Sequence, residues 1–310
     1  TDVFSVFNEQ FNRTVSANLG MSYSVCNVLA EAGSNNVLRW VPFDIEEQEL
    51  SDRIANKMIR PTTIPQSLEA LIIEQAIARE ALRLSFEQHK EFAVKLKGVQ
   101  QKRTISDAFE QSRSGETLVN LMDLDLLVGS GGVLSHAPRR HQAARMLIDA
   151  FLPEGITLLA VDSIFMMPQL GILSTIHTKA AVEVFEKDCL IRLGTCIAPV
   201  GIQKPESPVM SYECLPPNEK LEGILMPGEL KLIPVPYQEV EVKLIPSKGL
   251  DVGAGKNEIL TTQVYGGVVG IILDGRGRQP FNLSNITEER VQNLLTWSKV
   301  TNEYPTMETT

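Results

Sequence analysis

The sequence has no apolar run near the ~18 residues that a membrane-spanning helix requires, and its longest candidates, such as Gly266–Leu273, have the length of a strand. Cysteine is sparse. Cys26, Cys189, Cys196 and Cys214 are scattered without a C-x-x-C pair or the Cys/His spacing of a zinc knuckle, which points to a reduced, cytoplasmic interior rather than a disulfide scaffold. Basic residues are outnumbered, 29 Lys and Arg against 38 Asp and Glu, for a net charge of −9. Nonspecific attraction to nucleic acid or anionic lipid needs the opposite sign, so neither is an expected partner and only a local basic patch stays open. Low-complexity bias is also missing, with 17 prolines, 6% aromatic and 22% charged residues, which excludes wholesale disorder. What is present is 43% hydrophobic residues over 310 positions, enough to bury the core of one large domain or two ordinary ones. The chain opens with no signal peptide or initiator Met: Thr1-Asp2-Val3-Phe4-Ser5-Val6-Phe7 starts directly in strand-like alternation, as expected of a fragment whose beginning is missing.

DVFSVF and RTVSANL read as two short strands around Asn8-Glu9-Gln10, followed by a helical stretch from Gly20 to about Ala32. Glu46, Glu47, Glu49 and Asp52 precede Arg53, Lys57 and Arg60, the charge order a helix dipole favours, over Ile45–Ile59 with Pro61 as the stop. From Ser67 to His89 the positions Leu68, Leu71, Ile72, Ala76, Ile77, Leu82 and Phe86 keep a helical period. After a polar stretch at 97–117 come an apolar strand, a glycine turn and a helix with Ala143, Ala144, Leu147, Ile148 and Phe151 on one face. A buried-type strand at Ile156–Val161, a breaker at Pro168 and a small-residue helix through Thr178–Phe185 follow. Beyond about Asp188 prolines separate short β-type runs, among them EVEVKLI, EILTTQVY and GVVGIIL, with no long helix until Thr287–Val300. The pattern predicts an α/β domain over 1–188 and a β-rich domain over 189–310.

The strongest local signal for chemistry is Leu124–Pro138, where an apolar strand runs into Gly129-Ser130-Gly131-Gly132 and then a helix. Glycines there permit positive φ and let a ligand lie against the backbone, although a tight strand-to-helix crossover needs them as well. No Gly-Lys-Ser/Thr closes the loop and no G-x-G-x-x-G spans it, so it is neither a Walker A nor a dinucleotide motif. Asp162, at the end of the strand Ile156–Val161, occupies the carboxyl edge where α/β folds place ligands, or else caps the next turn. His136, His141, Arg139, Arg140 and Arg145 form a basic helix start that suits a phosphate or simply a solvated edge. Asp123 and Asp125 fit a polar strand start better than a carboxylate pair, Ser135 lacks a nucleophile elbow, and His89 and His177 lack zinc-ligand spacing. Asp251-Val252-Gly253-Ala254-Gly255 and Asp274-Gly275-Arg276-Gly277-Arg278 read as hairpin turns, with Arg276 and Arg278 as exposed tip charges or contacts for an acidic partner.

The run LVGSGGVLSHAP with GITLLAVDSIFMMPQLGIL resembles the glutamate (methylaspartate) mutase accessory protein family, of the actin-like (ribonuclease H-like) ATPase superfamily and unrelated to the mismatch-repair protein of similar name. NRTVSANLGM, NKMIRP, EQAIAREAL and VYGGVVGIILDGRGRQP agree with the same family, in order along nearly the whole chain. The opening TDVFSVF looks like the end of the family's second phosphate motif, of the form G-G-A-T-T-D-V. The resemblance implies the second half of an actin-like ATPase fold followed by a β-rich domain. It implies ATP and Mg as ligands of the full-length protein, with Gly129, Ser130, Gly131 and Gly132 under the ribose and adenine. Asp2 would lie near the phosphates and the metal with Thr1 beside it. Arg79 and Glu80 would reach toward the ribose or base, or else form ion pairs on a solvated helix face.

Because the first phosphate hairpin, of D-x-G-x-T type, is absent, this stretch alone is expected to bind ATP weakly or not at all. The implied role is a chaperone-like reactivating ATPase acting on the subunits of a cobalamin-dependent mutase. A non-hydrolysing scaffold that docks through its β-rich tail and a small-molecule kinase on the same fold stay open. The strands 2–7, 124–128 and 156–161 are expected in one sheet, with helices 68–88 and 138–151 packed on it.

Overall fold

Alternation of Val3, Ser5 and Phe7 with Asp2, Phe4 and Val6 pleats the opening residues into β1 (Asp2–Phe7), which pairs antiparallel with β2 (Gln10–Val15). The computed structural model describes residues 1–7, 9–93, 118–216, 220–278, 281 and 283–305. Val3 and Phe7 turn inward onto Phe86, whereas Phe4, Val6, Phe11 and Val15 stand exposed on the opposite face. Helices α1 (Val25–Ala32), α2 (Ser34–Leu38), α3 (Glu47–Ile59) and α4 (Leu68–Phe92) follow. The Ser67 hydroxyl accepts the Ala70 N–H and so caps α4, whose period seats Ile73, Ala76, Ile77 and Ala81 in the main core.

β3 (Leu126–Gly129), the one-turn α5 (Gly132–Ser135), α6 (Arg140–Phe151) and β4 (Gly155–Asp162) form a parallel strand–helix–strand unit. Next come α7 (Met167–Val184), β5 (Leu190–Ala198), β6 (Met210–Leu215), β7 (Leu221–Leu225), β8 (Leu230–Ile233), β9 (Glu239–Pro246), β10 (Leu260–Tyr265), β11 (Ile271–Asp274) and α8 (Thr287–Val300). The result is a mixed α/β protein. A five-stranded sheet in the order β3-β4-β5-β11-β8 lies beside a four-stranded antiparallel sheet in the order β10-β9-β6-β7. Leu159, Val161, Leu193 and Cys196 of the larger sheet share a core with α1–α4 and α6; Ile197, Ile271 and Leu273 share the other with Met210, Val242 and Leu244 of the smaller. Burial on both faces is why these central strands read as continuous apolar runs. β5 starts at Leu190, just past Asp188, and pairs with β4 along its length, so one sheet joins the residues before 188 to those after it. Among the described residues no helix is long and apolar enough to cross a membrane.

Two expectations need correction. The strand at 2–7 does not join those at 126–129 and 155–162: β1 and β2 make a separate two-stranded sheet, because the inward face of β1 is seated on the last turns of α4. Pro168 is not a break ahead of a later helix but part of that helix's first turn. It occupies the first turn of α7, where its missing N–H is no loss, and the helix begins at Met167, kinked only at His177.

His89 of α4 ties the hairpin down. Its Nδ1 lies 2.9 Å from the Thr14 hydroxyl and its Nε2 2.7 Å from that of Ser5. Burial lowers its pKa below the ordinary 6.5, so between the two values the unfolded chain binds more protons than the folded one and stability rises with pH. The melting temperature is therefore expected to fall as the pH drops from 6.5 toward about 5, and His89→Gln to flatten that slope in a pH series of thermal melts.

Candidate functional site

The glycine loop leaves β3 at the carboxyl edge of the larger sheet, next to the end of the parallel strand β4, with Gly129 opposite Val161. Each glycine there has its own reason. A Cβ on Gly129 would meet Leu134 Cδ1 at 2.9 Å and Leu147 Cδ2 at 3.0 Å, so this position is fixed by packing. Gly131 has φ +126, a backbone only glycine adopts freely. Among the described residues, a Cβ on Gly132 would meet nothing within 4 Å and one on Gly131 only a Phe165 ring carbon at 4.0 Å, so the space above both is open.

Asp162 clasps this edge. It is fully buried, and its carboxylate accepts the Ser130 hydroxyl at 3.3 Å and the backbone N–H groups of Ile164 and Met167, each at 3.3 Å. The Ser135 hydroxyl donates to the Asp162 carbonyl. Asp162 thus caps the turn after β4, the second of its two readings, and holds the glycine loop through Ser130.

The other candidate residues lie in different surroundings. Asp2, on the hairpin, pairs with Arg13 at 2.7 Å. The Thr1 nitrogen lies 2.9 Å from the carbonyls of both Ser16 and Leu19. Arg79 and Glu80 are buried in α4, so the solvated-face reading is wrong for both. Glu80 accepts Arg39 Nη2 at 2.7 Å, Trp40 Nε1 at 2.8 Å and Arg83 Nε at 2.7 Å. Arg79 donates to Asp149 at 2.9 Å and to Glu303 at 2.6 Å. The hairpin and α5 both pack on α4, which is the element they share. Among the described residues no group of three or more His, Cys, Asp or Glu is placed to hold a metal ion.

The Arg79 network holds residues that local pattern reading missed. Arg276, expected at an exposed hairpin tip, is fully buried: Nε and Nη2 grip Asp274 at 2.9 and 2.8 Å, and Nη1 reaches Asp149 at 2.7 Å. Arg278 donates to Asp274 at 3.0 Å and to the Pro153 carbonyl at 2.7 Å. Burial alone would raise the pKa of Asp149, but the guanidinium groups of Arg145, Arg276 and Arg79 hold it at about 2. Arg145, expected at a solvated helix start, is buried among them, whereas Arg139 is only half-buried and donates to the Asn302 side chain at 2.8 Å. An apolar helix carrying Arg145 and Asp149 on its inner side was the one signal available.

A protein-family model described as MutL protein matches residues 1–189. No curated protein and no solved structure matches the chain.

Proposed function

The chain belongs to the MutL family of glutamate mutase accessory proteins, and from that membership we propose that it serves a cobalamin-dependent glutamate or methylaspartate mutase as a nucleotide-dependent, chaperone-like factor on an actin-like ATPase fold. The observation that supports nucleotide binding is the open space above Gly131 and Gly132, at the sheet edge where α/β folds receive ligands. A flat ring system fits where a Cβ would intrude, so Gly129–Gly132 suit the ribose and adenine of ATP, with Asp162 fixing the loop through Ser130. Asp2 suits the metal less readily: its carboxylate is held by Arg13, and that pair must open before Mg is coordinated. When bound, the nucleotide supplies the free energy that separates two states of the protein. Acting on a mutase then requires different affinities for the enzyme in the two states.

Gly132→Val isolates the site, because it meets no neighbour in the fold yet fills the space over the loop. Calorimetric titration of Mg–ATP into the complete gene product is expected to show at least ~10-fold weaker binding for the variant, about 1.4 kcal/mol, with an unchanged melting temperature. Equal affinity would remove the glycine loop from the site.

A second reading, a scaffold that does not hydrolyse nucleotide and docks through its β-rich tail, is favoured by the exposure there of Ile202, 83%, and Ile259, 57%. Mutase binding that is identical with and without nucleotide decides for the scaffold.

A further inference from the structure

A cavity of about 20 Å³ lies where α4, α6 and α8 meet the segment after α8, lined by Trp40, Arg79, Arg145, Ser298, Glu303 and Tyr304 among others. That volume takes one water-sized particle, since a water needs roughly 10–15 Å³ by the same measure. It excludes a nucleotide or any other polyatomic ligand of that size.

Arg145 is 1% exposed, and its hydrogen bonding is incomplete. Nη2 is 3.3 Å from Asp149, Nε is 3.5 Å from Glu303 without a hydrogen bond, and Nη1 has no acceptor among the described residues. Nearby acceptors are committed elsewhere: Asp149 takes Arg79 and Arg276, Asp274 takes Arg276 and Arg278, and Glu303 takes Arg79. Among the described residues, the network sets the four guanidinium groups of Arg79, Arg145, Arg276 and Arg278 against the three carboxylates of Asp149, Asp274 and Glu303, leaving one positive charge in excess. A guanidinium group does not shed its proton to restore balance, and a buried charge demands a counter-charge. Water would accept the stray N–H but leave the charge.

We infer that Arg145 anchors a binding site for one small monovalent anion of chloride size in this cavity. The ion accepts from the Arg145 guanidinium and neutralises the excess charge. Trp40, over whose ring Arg79 lies at 5.6 Å, and the neighbouring Pro42 and Leu294 supply low-polarity walls that strengthen the attraction. Its place is the junction where Glu303 joins α8 to α4 and α6, so the anion acts as a clamp on that junction.

The test compares thermal melts of the native protein in sodium chloride, sodium bromide and sodium gluconate at equal ionic strength. Halide is expected to raise the melting temperature saturably by about 2–4 °C over gluconate, and Arg145→Met, which removes the excess charge, to lose the dependence. Should that variant fail to fold, bromide-soaked crystals of the native protein answer the same question, with an anomalous peak expected in hydrogen-bonding reach of Arg145 Nη1. Melting temperatures independent of the anion, with no anomalous peak in the cavity, mean a water sits there and overturn the inference.

Discussion

Asp149→Asn is expected to destabilise the protein by about 3–5 kcal/mol, the range seen when one partner of a buried ion pair is removed and the other is left charged. The substitution is nearly isosteric, so the loss is electrostatic rather than a cavity effect. Asp149 has no exposed surface on its side chain and accepts from Arg79, Arg276 and, at longer range, Arg145. An amide offers one acceptor oxygen to groups that now share a carboxylate, and it turns two donors of its own toward cations. Urea unfolding followed by both fluorescence and circular dichroism measures the loss; a change below about 1 kcal/mol would mean the guanidinium groups find other acceptors.

The same carboxylate predicts an acid limb. Its pKa is held at about 2 in the folded protein against 3.8 in the ordinary case. Its stabilisation is therefore complete above 3.8 and drains away as the pH falls from there toward about 2. The asparagine variant is expected to lack this part of the acid dependence.

Gly194→Val is expected to abolish cooperative folding or cost at least ~4 kcal/mol, for a reason of backbone geometry. Gly194 lies in β5 at φ +131, and a Cβ there would stand 1.9 Å from the carbonyl oxygen of Gly270. Neither atom can yield, because the Leu193 carbonyl accepts the N–H groups of Val269 at 2.9 Å and Gly270 at 3.2 Å, pinning the two backbones together. The β4–β5 register shifts beside this point, between Leu159 and Ala160, which marks a bulge. Gly171→Ala in α7 is the matched control: no described residue lies within 4 Å of its Cβ outside the helix's own backbone, and an alanine in a helix interior is worth up to about 1 kcal/mol over glycine. Thermal melts of the two variants beside the native protein compare them directly.

Features set by near neighbours in the sequence were legible there. The helix α4 follows from the spacing of Leu68, Ile72, Ala76 and Ile77, and the loop after β3 from glycines between an apolar strand and an amphipathic helix. Features set by distant partners were not. Asp274-Gly275-Arg276-Gly277-Arg278 has the composition of an exposed turn, and only Asp149, 127 residues from Arg276, makes it an interior device. Arg79 and Glu80 sit in a helix that carries other charges, such as Glu69 and Glu87, on its exposed side, and their burial depends on Trp40, Arg39 and Glu303. The hairpin β1–β2 was assigned to the wrong sheet for the same reason: alternation specifies a strand and its inward face, but not which surface receives that face.

The Arg79–Glu303 pair joins residues 224 positions apart, and that separation bears on how the chain is made. At about 5–20 residues per second, a ribosome needs roughly 10–45 s to go from the codon of one to the codon of the other. Through that interval α4 and α6 can meet over Ile77, Ala81 and Leu147, but Arg79 and Arg145 have Asp149 as their only carboxylate from the finished network. The nascent protein therefore carries a cationic seam between two helices already in hand, and closing it waits until Glu303 has been made.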